Sequence, residues 1–203
     1  RERIARACDG VGRDPAGVTL VAVSKRHSAE AVREAMEAGQ RIFGENYAQE
    51  LTAKAALIEG AAWHFIGHLQ RNKVKAVLAT GATLETVDSR RLLDEIAARA
   101  SRPVDVLIEV DVAGEASKSG CAVEELAALV DAARGAPNVH LRGLMTIPPA
   151  EGDPRPHFRA LRGLAEAHGL PELSMGMSAD LEAAIEAGAT IVRVGTAIFG
   201  PRP

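Results

Sequence analysis

Apolar and polar positions follow two periods along this chain, and the change from one to the other recurs eight times. Val18 to Val23 is a short, apolar, β-branched run that reads as a buried strand. Ser28 follows as a helix N-cap, with Glu30 in the first turn, where the macrodipole favours an acid. Ala29 to Ala38 reads as a helix: Ala29, Val32, Ala35 and Met36 fall at three- and four-residue spacing, and Gly39 takes the C′ position. Arg41 to Phe43 predicts a second strand and Gly44-Glu-Asn-Tyr47 the turn after it; Ala48 to Ile58 predicts a helix. The third strand is Trp63 to Ile66, ended by Gly67, and Leu69 to Leu78 is its helix. Thr83 to Val87 is the fourth, and a helix beginning at Asp88-Ser89 turns Leu92, Leu93, Ile96 and Ala97 inward. Val104 to Val110 is the clearest strand, with Val123, Leu126, Ala127 and Val130 marking the helix behind it. Val139 to Met145 is the sixth, followed by a helix marked by Phe158, Leu161 and Leu164. A weak seventh strand, Glu172 to Ser174, leads to a helix over Ala179 to Ala187 and an eighth strand, Thr190 to Val194. Residues 1–9 read as a short helix with Ile4 and Ala7 on one side, stopped by Gly10 and Gly12.

Strands alternating with helices require a parallel sheet covered by helices. Eight such units in 203 residues, with no boundary between them, predict a single closed (β/α)8 barrel domain over residues 1–203. An open doubly wound sheet is the competing architecture, but the first strand lacks the Gly-x-Gly-x-x-Gly turn that would favour it. Two passages also repeat the unit: Arg33 to Gly44 and Glu182 to Arg193 both run helix, glycine stop, strand.

Composition narrows the classes. Hydrophobic residues make up 47% and aromatics 3%, so the core is aliphatic. A net charge of −3, no basic run and few rings for base stacking argue against nucleic acid. No apolar run approaches the about 20 residues of a membrane helix, and no signal-peptide pattern appears. Cys8 and Cys121 form no close pair and read as free thiols of a reducing cytoplasm.

In a barrel of this kind the chemistry sits at the C-terminal mouth, on the loops after the strands. Lys25 stands there after the first strand. An ammonium where an apolar strand ends must find a partner, snorkel to water, or lose its charge, and forming an imine with a carbonyl compound is one way to lose it. Phosphate in such barrels is held after strands seven and eight. Ser178 would cap the helix at Ala179, Gly176 and Met177 would offer amides, Gly195 would admit close backbone approach, and Thr196 adds a hydroxyl. Ordinary cap and turn roles account for each residue singly, but their joint placement favours an anion site. His64 and His68 have the spacing of helical zinc ligands but straddle a strand end, without the Glu of His-Glu-x-x-His, so no metal is expected. Glu109 and Asp111 share a strand face, as a carboxylate pair or as an interior acid beside a solvated one. Lys118, in a Gly/Ser loop, is either solvated or a lid lysine.

Lys25, Gly44-Glu-Asn-Tyr47, Trp63-His-Phe-Ile-Gly67 with Leu69-Gln70 and Asn72-Lys73, Ser117-Lys-Ser-Gly120, Arg142-Gly-Leu-Met145, Ser174-Met-Gly-Met-Ser178 and Val192-Arg-Val-Gly-Thr196-Ala-Ile-Phe-Gly200 together resemble the pyridoxal-phosphate homeostasis proteins. The likeness runs in unbroken order from about Val18 to Gly200. It implies a barrel of the alanine-racemase type without that enzyme's second domain. It also implies pyridoxal 5′-phosphate (PLP) bound as a Schiff base on Lys25, with phosphate at Ser178, Gly195 and Thr196. By the same resemblance Asn46 lies beside the cofactor ring, Met145 packs near it and Arg193 faces the pyridine nitrogen. The match departs at the ends, where family members have a longer N-terminal helix and a basic C-terminal tail. The expected protein is a cytoplasmic monomer or weak dimer in vitamin B6 homeostasis that passes PLP to apo-enzymes, with no nucleic-acid or membrane partner. The alternatives are a PLP-dependent amino-acid racemase, and a lyase that uses Lys25 on a sugar phosphate without cofactor.

Overall fold

The computed structural model describes residues 1–115 and 119–201. Eight strands form one parallel sheet that closes on itself: β1 (Thr19–Val23), β2 (Ile42–Glu45), β3 (Ala62–Phe65), β4 (Thr83–Val87), β5 (Val104–Glu109), β6 (Val139–Met145), β7 (Glu172–Ser174) and β8 (Ile191–Val194). Each strand pairs with the next in the chain, and β1 pairs with β8 through Thr19–Ile191 to Ala22–Val194. The helices between them are α2 (Ala29–Glu37), α3 (Ala48–Leu57), α4 (Val74–Ala79), α5 (Arg90–Arg99), α6 (Val123–Gly135), α7 (Arg155–Ala167) and α8 (Leu181–Glu186). An N-terminal α1 (Glu2–Asp9) buries Ile4 and Cys8, and a four-residue α9 (Thr196–Phe199) follows β8. The expected closed (β/α)8 barrel is the fold.

Local signals act as the sequence predicts. Ser28 Oγ accepts from the Ala31 amide at 3.3 Å and Ser89 Oγ from Leu92 at 3.4 Å, each supplying an orphan donor of a helix start. The glycine of each repeated passage, Gly39 and Gly188, ends its helix with φ of +89° and +108°, a conformation that a side chain disfavours.

Three elements differ. Gly44 and Glu45 belong to β2 rather than a turn, because β3 pairs with them up to Glu45–Phe65. The helix expected over Leu69–Leu78 starts late: Gln70 is extended (ψ 136°), which drops Leu69 into the core, and a single 3-10 turn at Arg71–Lys73 leads into α4. The helix expected from Ala179 starts at Leu181, and the short α9 had no periodic signal.

Two layers bury side chains. Between sheet and helices lies a large aliphatic core, including Val32, Phe43, Leu51, Leu84, Leu93, Ile96, Leu126, Phe158, Leu161 and Ile185. Inside the barrel Val21, Leu107, Met145 and Ile191 form a separate small cluster, with Ile42 against it. Among the described residues no helix is long and apolar enough to cross a membrane.

Candidate functional site

The mouth is assembled by closure of the sheet. Val21 of β1 lies in the interior cluster, and Lys25 stands in the turn that follows the strand. Lys25 is partly buried immediately beyond β1. Asn46, at the end of β2, is also partly buried, and its Oδ1 has no hydrogen-bond partner among the described residues. Gly67 makes room for it: a Cβ there would stand 2.1 Å from the Asn46 carbonyl oxygen, so only glycine permits this approach of the β2 and β3 ends. Met145 is fully buried at the end of β6. The His27 ring stacks on Phe199 with centroids 5.1 Å apart, tying the loop that carries Lys25 to α9. Gly195 lies against β1 as well, since a Cβ on it would reach 3.3 Å from the Val23 carbonyl oxygen.

The expected anion cradle is partly rebuilt by the structure. Ser178 does not cap α8; it stands in the preceding turn, and Asp180 holds the cap position. The Asp180 carboxylate accepts the Met177 amide at 2.6 Å, so that amide, expected for phosphate, is spent within the loop. What stays exposed or half-exposed after β7 and β8 is Ser178, Gly195 and Thr196. Thr196 opens α9, whose first amides have no intrahelical acceptor by geometry.

Beneath the mouth lies a polar layer around Arg193, whose pairings with Ser174, Thr146 and Glu85 the sequence did not reveal. Arg193, 3% exposed, donates from Nη1 to Ser174 Oγ at 2.5 Å and from Nη2 to the Thr146 carbonyl at 2.9 Å. Ser174 Oγ also donates to Glu85 Oε2 at 2.5 Å, and the other Glu85 oxygen meets His64 Nδ1 at 2.5 Å. Arg193 Nη1 lies 3.8 Å from Glu85, which is wholly buried. Burial alone would raise Glu85, but His64, Arg193 and Ser174 together hold its carboxyl below the ordinary range. Burial lowers Arg193, opposed by the charges of Glu85, Glu109 and Asp180. The available signal was a single charge inside each of two otherwise buried strands, Leu84-Glu85-Thr86 and Val192-Arg193-Val194, which demands a partner across the barrel.

The remaining sequence candidates separate. Glu109 is 4% exposed at the end of β5, and burial, then Asp88, pushes its carboxyl up to about 7. Asp111 is not its partner in chemistry: its carboxylate accepts the Ala113 and Gly114 amides and shapes the following loop. His64 is engaged by Glu85, His68 lies 3.5 Å from Asp88, and among the described residues no three His, Cys, Asp or Glu side chains gather to hold a metal. Both cysteines are free and buried, and burial pushes the Cys121 thiol up to about 12, far from a reactive thiolate. Ser117 and Lys118 lie outside the described residues.

The family model for the alanine racemase N-terminal domain matches residues 3–203. The pyridoxal phosphate homeostasis protein of Pseudomonas aeruginosa is 46% identical over 210 residues, covering 98% of this chain and 91% of the relative. The chain belongs to the pyridoxal phosphate homeostasis proteins. The Escherichia coli K12 protein of that name is 42% identical over 218 residues, with 100% of this chain and 93% of the relative covered. Among solved structures, PipY of Synechococcus elongatus with PLP bound superposes with a TM-score of 0.86 at 34% identity, over 97% of this chain and all of PipY. Alanine racemase of Corynebacterium glutamicum superposes with a TM-score of 0.75 at 21% identity and shares the fold; all of this chain covers 61% of that enzyme.

Proposed function

We propose that this chain is a PLP-binding protein of vitamin B6 homeostasis that holds the cofactor through Lys25 and passes it to PLP-requiring apo-enzymes. The observation that carries this reading is a partly buried lysine in the turn after β1 of a barrel whose relatives are pyridoxal phosphate homeostasis proteins and whose solved neighbour PipY holds PLP. Bound PLP would supply an aldehyde that condenses with a primary amine, and a phosphate dianion. The donor set fits such a group. The Asn46 amide, with its orphaned Oδ1, offers both a donor and an acceptor to a ring hydroxyl. Ser178, Gly195 and Thr196 offer hydroxyls and amides to the phosphate, and Met145 gives a buried apolar floor. Arg193, fixed by Ser174 and Thr146, can only donate, so a ring nitrogen facing it stays unprotonated.

A carrier rather than a racemase is supported by the surroundings of the one tyrosine. Racemisation needs proton transfer on both faces of the cofactor. The single tyrosine, Tyr47, is 43% exposed, with its hydroxyl 3.5 Å from Arg26. Borohydride treatment of the PLP-loaded protein should fix the cofactor's mass on the peptide that contains Lys25; a label on Lys73 or Lys118 would overturn the assignment. Cα exchange of L-amino acids in deuterated water should not exceed that given by free PLP. Exchange well above it, and lost in Lys25→Ala, would make the protein an enzyme.

A further inference from the structure

The backbone on both sides of Lys25 is held from behind by a buried ionic cluster. Lys54 of α3 is 6% exposed and donates to the Ser24 carbonyl at 2.7 Å and to Glu45 Oε1 at 2.6 Å. Ser24 Oγ donates to the same Glu45 oxygen at 2.6 Å, and the Ser24 amide donates to the Gly44 carbonyl at 3.0 Å. On the other side of Lys25, the Arg26 amide donates to Glu50 Oε2 at 2.7 Å, and that oxygen also lies 3.3 Å from Lys54 Nζ. Arg26 has a φ of +64°, the left-handed region that a residue with a Cβ occupies only when its surroundings enforce it. Four side chains, Ser24, Glu45, Glu50 and Lys54, thus converge on the two peptide groups that flank one lysine.

Placing charges in a buried layer is costly, and apolar residues of the same shape would give at least equal stability. What apolar residues could not supply is a donor to the Ser24 carbonyl together with an acceptor for the Arg26 amide. We propose that Glu50 and Lys54 are positioning residues for Lys25: they fix the strand-end turn so that its amine projects into the mouth instead of rotating with the loop. This rests on the reading of Lys25 as the covalent anchor. Release of either peptide group gives the turn other conformations, so a smaller fraction of molecules presents the amine to a bound aldehyde. Among the described residues Glu50 and Lys54 hydrogen-bond to Ser24, Glu45, the Arg26 amide and each other, so the residues after β7 and β8 proposed for phosphate should keep their geometry.

The test compares PLP with pyridoxine 5′-phosphate, which carries an alcohol in place of the aldehyde and cannot bond to an amine. Glu50→Ala, at a half-buried position where folding should survive, is expected to weaken PLP binding about tenfold through the lost charged hydrogen bond. Affinity for pyridoxine 5′-phosphate should change by less than about twofold, as for an uncoupled site. Glu50→Gln keeps an oxygen for the Arg26 amide and should restore PLP affinity, and Lys54→Met should show the same split as Glu50→Ala. Unchanged PLP affinity in Glu50→Ala overturns the proposal. So does an equal fall for both ligands, which would mark general damage to the mouth, or a Glu50→Gln variant as impaired as the alanine one. Failure of the underlying reading looks different: wild-type protein treated with PLP and borohydride would then carry no label on Lys25.

Discussion

The two buried layers of this barrel are built from opposite materials. Outside the sheet, facing the helices, the core is built of Leu, Ile, Val, Ala and a few Phe, interchangeable in kind, except where Ser24, Glu45 and Lys54 meet behind the end of β1. Inside the sheet, among the described residues, the apolar cluster is small, Val21, Leu107, Met145 and Ile191, and Arg193, Glu85, Ser174, Thr146 and Glu109 are also nearly or fully buried. The outer layer excludes water from surfaces whose only requirement is volume, and its contribution scales with area. In the inner layer each polar group is specified by its neighbour, since a buried charge without its partner costs more than it contributes with it. The interior and that one cluster therefore carry orientation, and the rest of the shell carries stability.

Substitutions should separate those two jobs. The largest effect is expected from Glu85→Leu, which leaves the Arg193 guanidinium buried without its carboxylate; urea denaturation should show a loss of about 3–5 kcal/mol. Replacing both members, Glu85→Leu with Arg193→Met, should recover most of it, and a double variant no better than the single one would contradict the ion-pair account. In the shell, Leu161→Ala should cost about 3 kcal/mol from transfer and cavity terms combined. Its PLP affinity should nevertheless match the wild type, because Leu161 packs only in the outer layer.

Glu109 tests the interior by pH. Its folded carboxyl is raised from 4.5 to about 7, so the folded state binds the proton more tightly than the unfolded chain. Its contribution is full below 4.5 and is lost as pH rises through about 7, a difference of up to about 3 kcal/mol. Glu109→Gln should flatten the fall in stability across that window relative to wild type, measured as urea midpoints against pH. If wild type and variant keep parallel profiles, the buried-acid description is wrong. The smallest expected change in stability belongs to Ser178→Ala combined with Thr196→Ala at the solvated rim. That variant should unfold like wild type yet bind PLP about tenfold or more weakly, each hydroxyl-to-anion bond being worth about 1.5–3 kcal/mol. Equal affinity would remove these hydroxyls from the site.

Much of the architecture was legible because periodicity reports burial directly. Eight apolar runs separated by helical spacing, Ser28 and Ser89 as caps, and Gly39 and Gly188 as stops each follow from a local rule, and the barrel obeys them. Lys25 draws notice for a similar reason: a cation directly after a buried strand stands out against the pattern. Where the prediction slipped, a competing local partner won. Asp180, two residues beyond Ser178, takes the cap position of α8 and turns its carboxylate back onto the Met177 amide. Pairing with β3 extended β2 through Glu45, although its Gly-Glu-Asn sequence reads as a turn.

What the chain order by itself determined, then, is the set of elements, their alternation, and which residues stand at strand ends. Which side chains meet was decided only by closing the sheet. Glu85 and Arg193 are separated by half the molecule in sequence, as Glu85 and Ser174 are, and nothing local to either reveals the other. Lys54 reads as an ordinary lysine on a short helix until α3 packs behind the end of β1 and sets its ammonium between Ser24 and Glu45. Period and capping act over one or two turns of chain, whereas a buried charge is satisfied by whatever the closed barrel brings opposite it, and that is a property of three-dimensional adjacency alone.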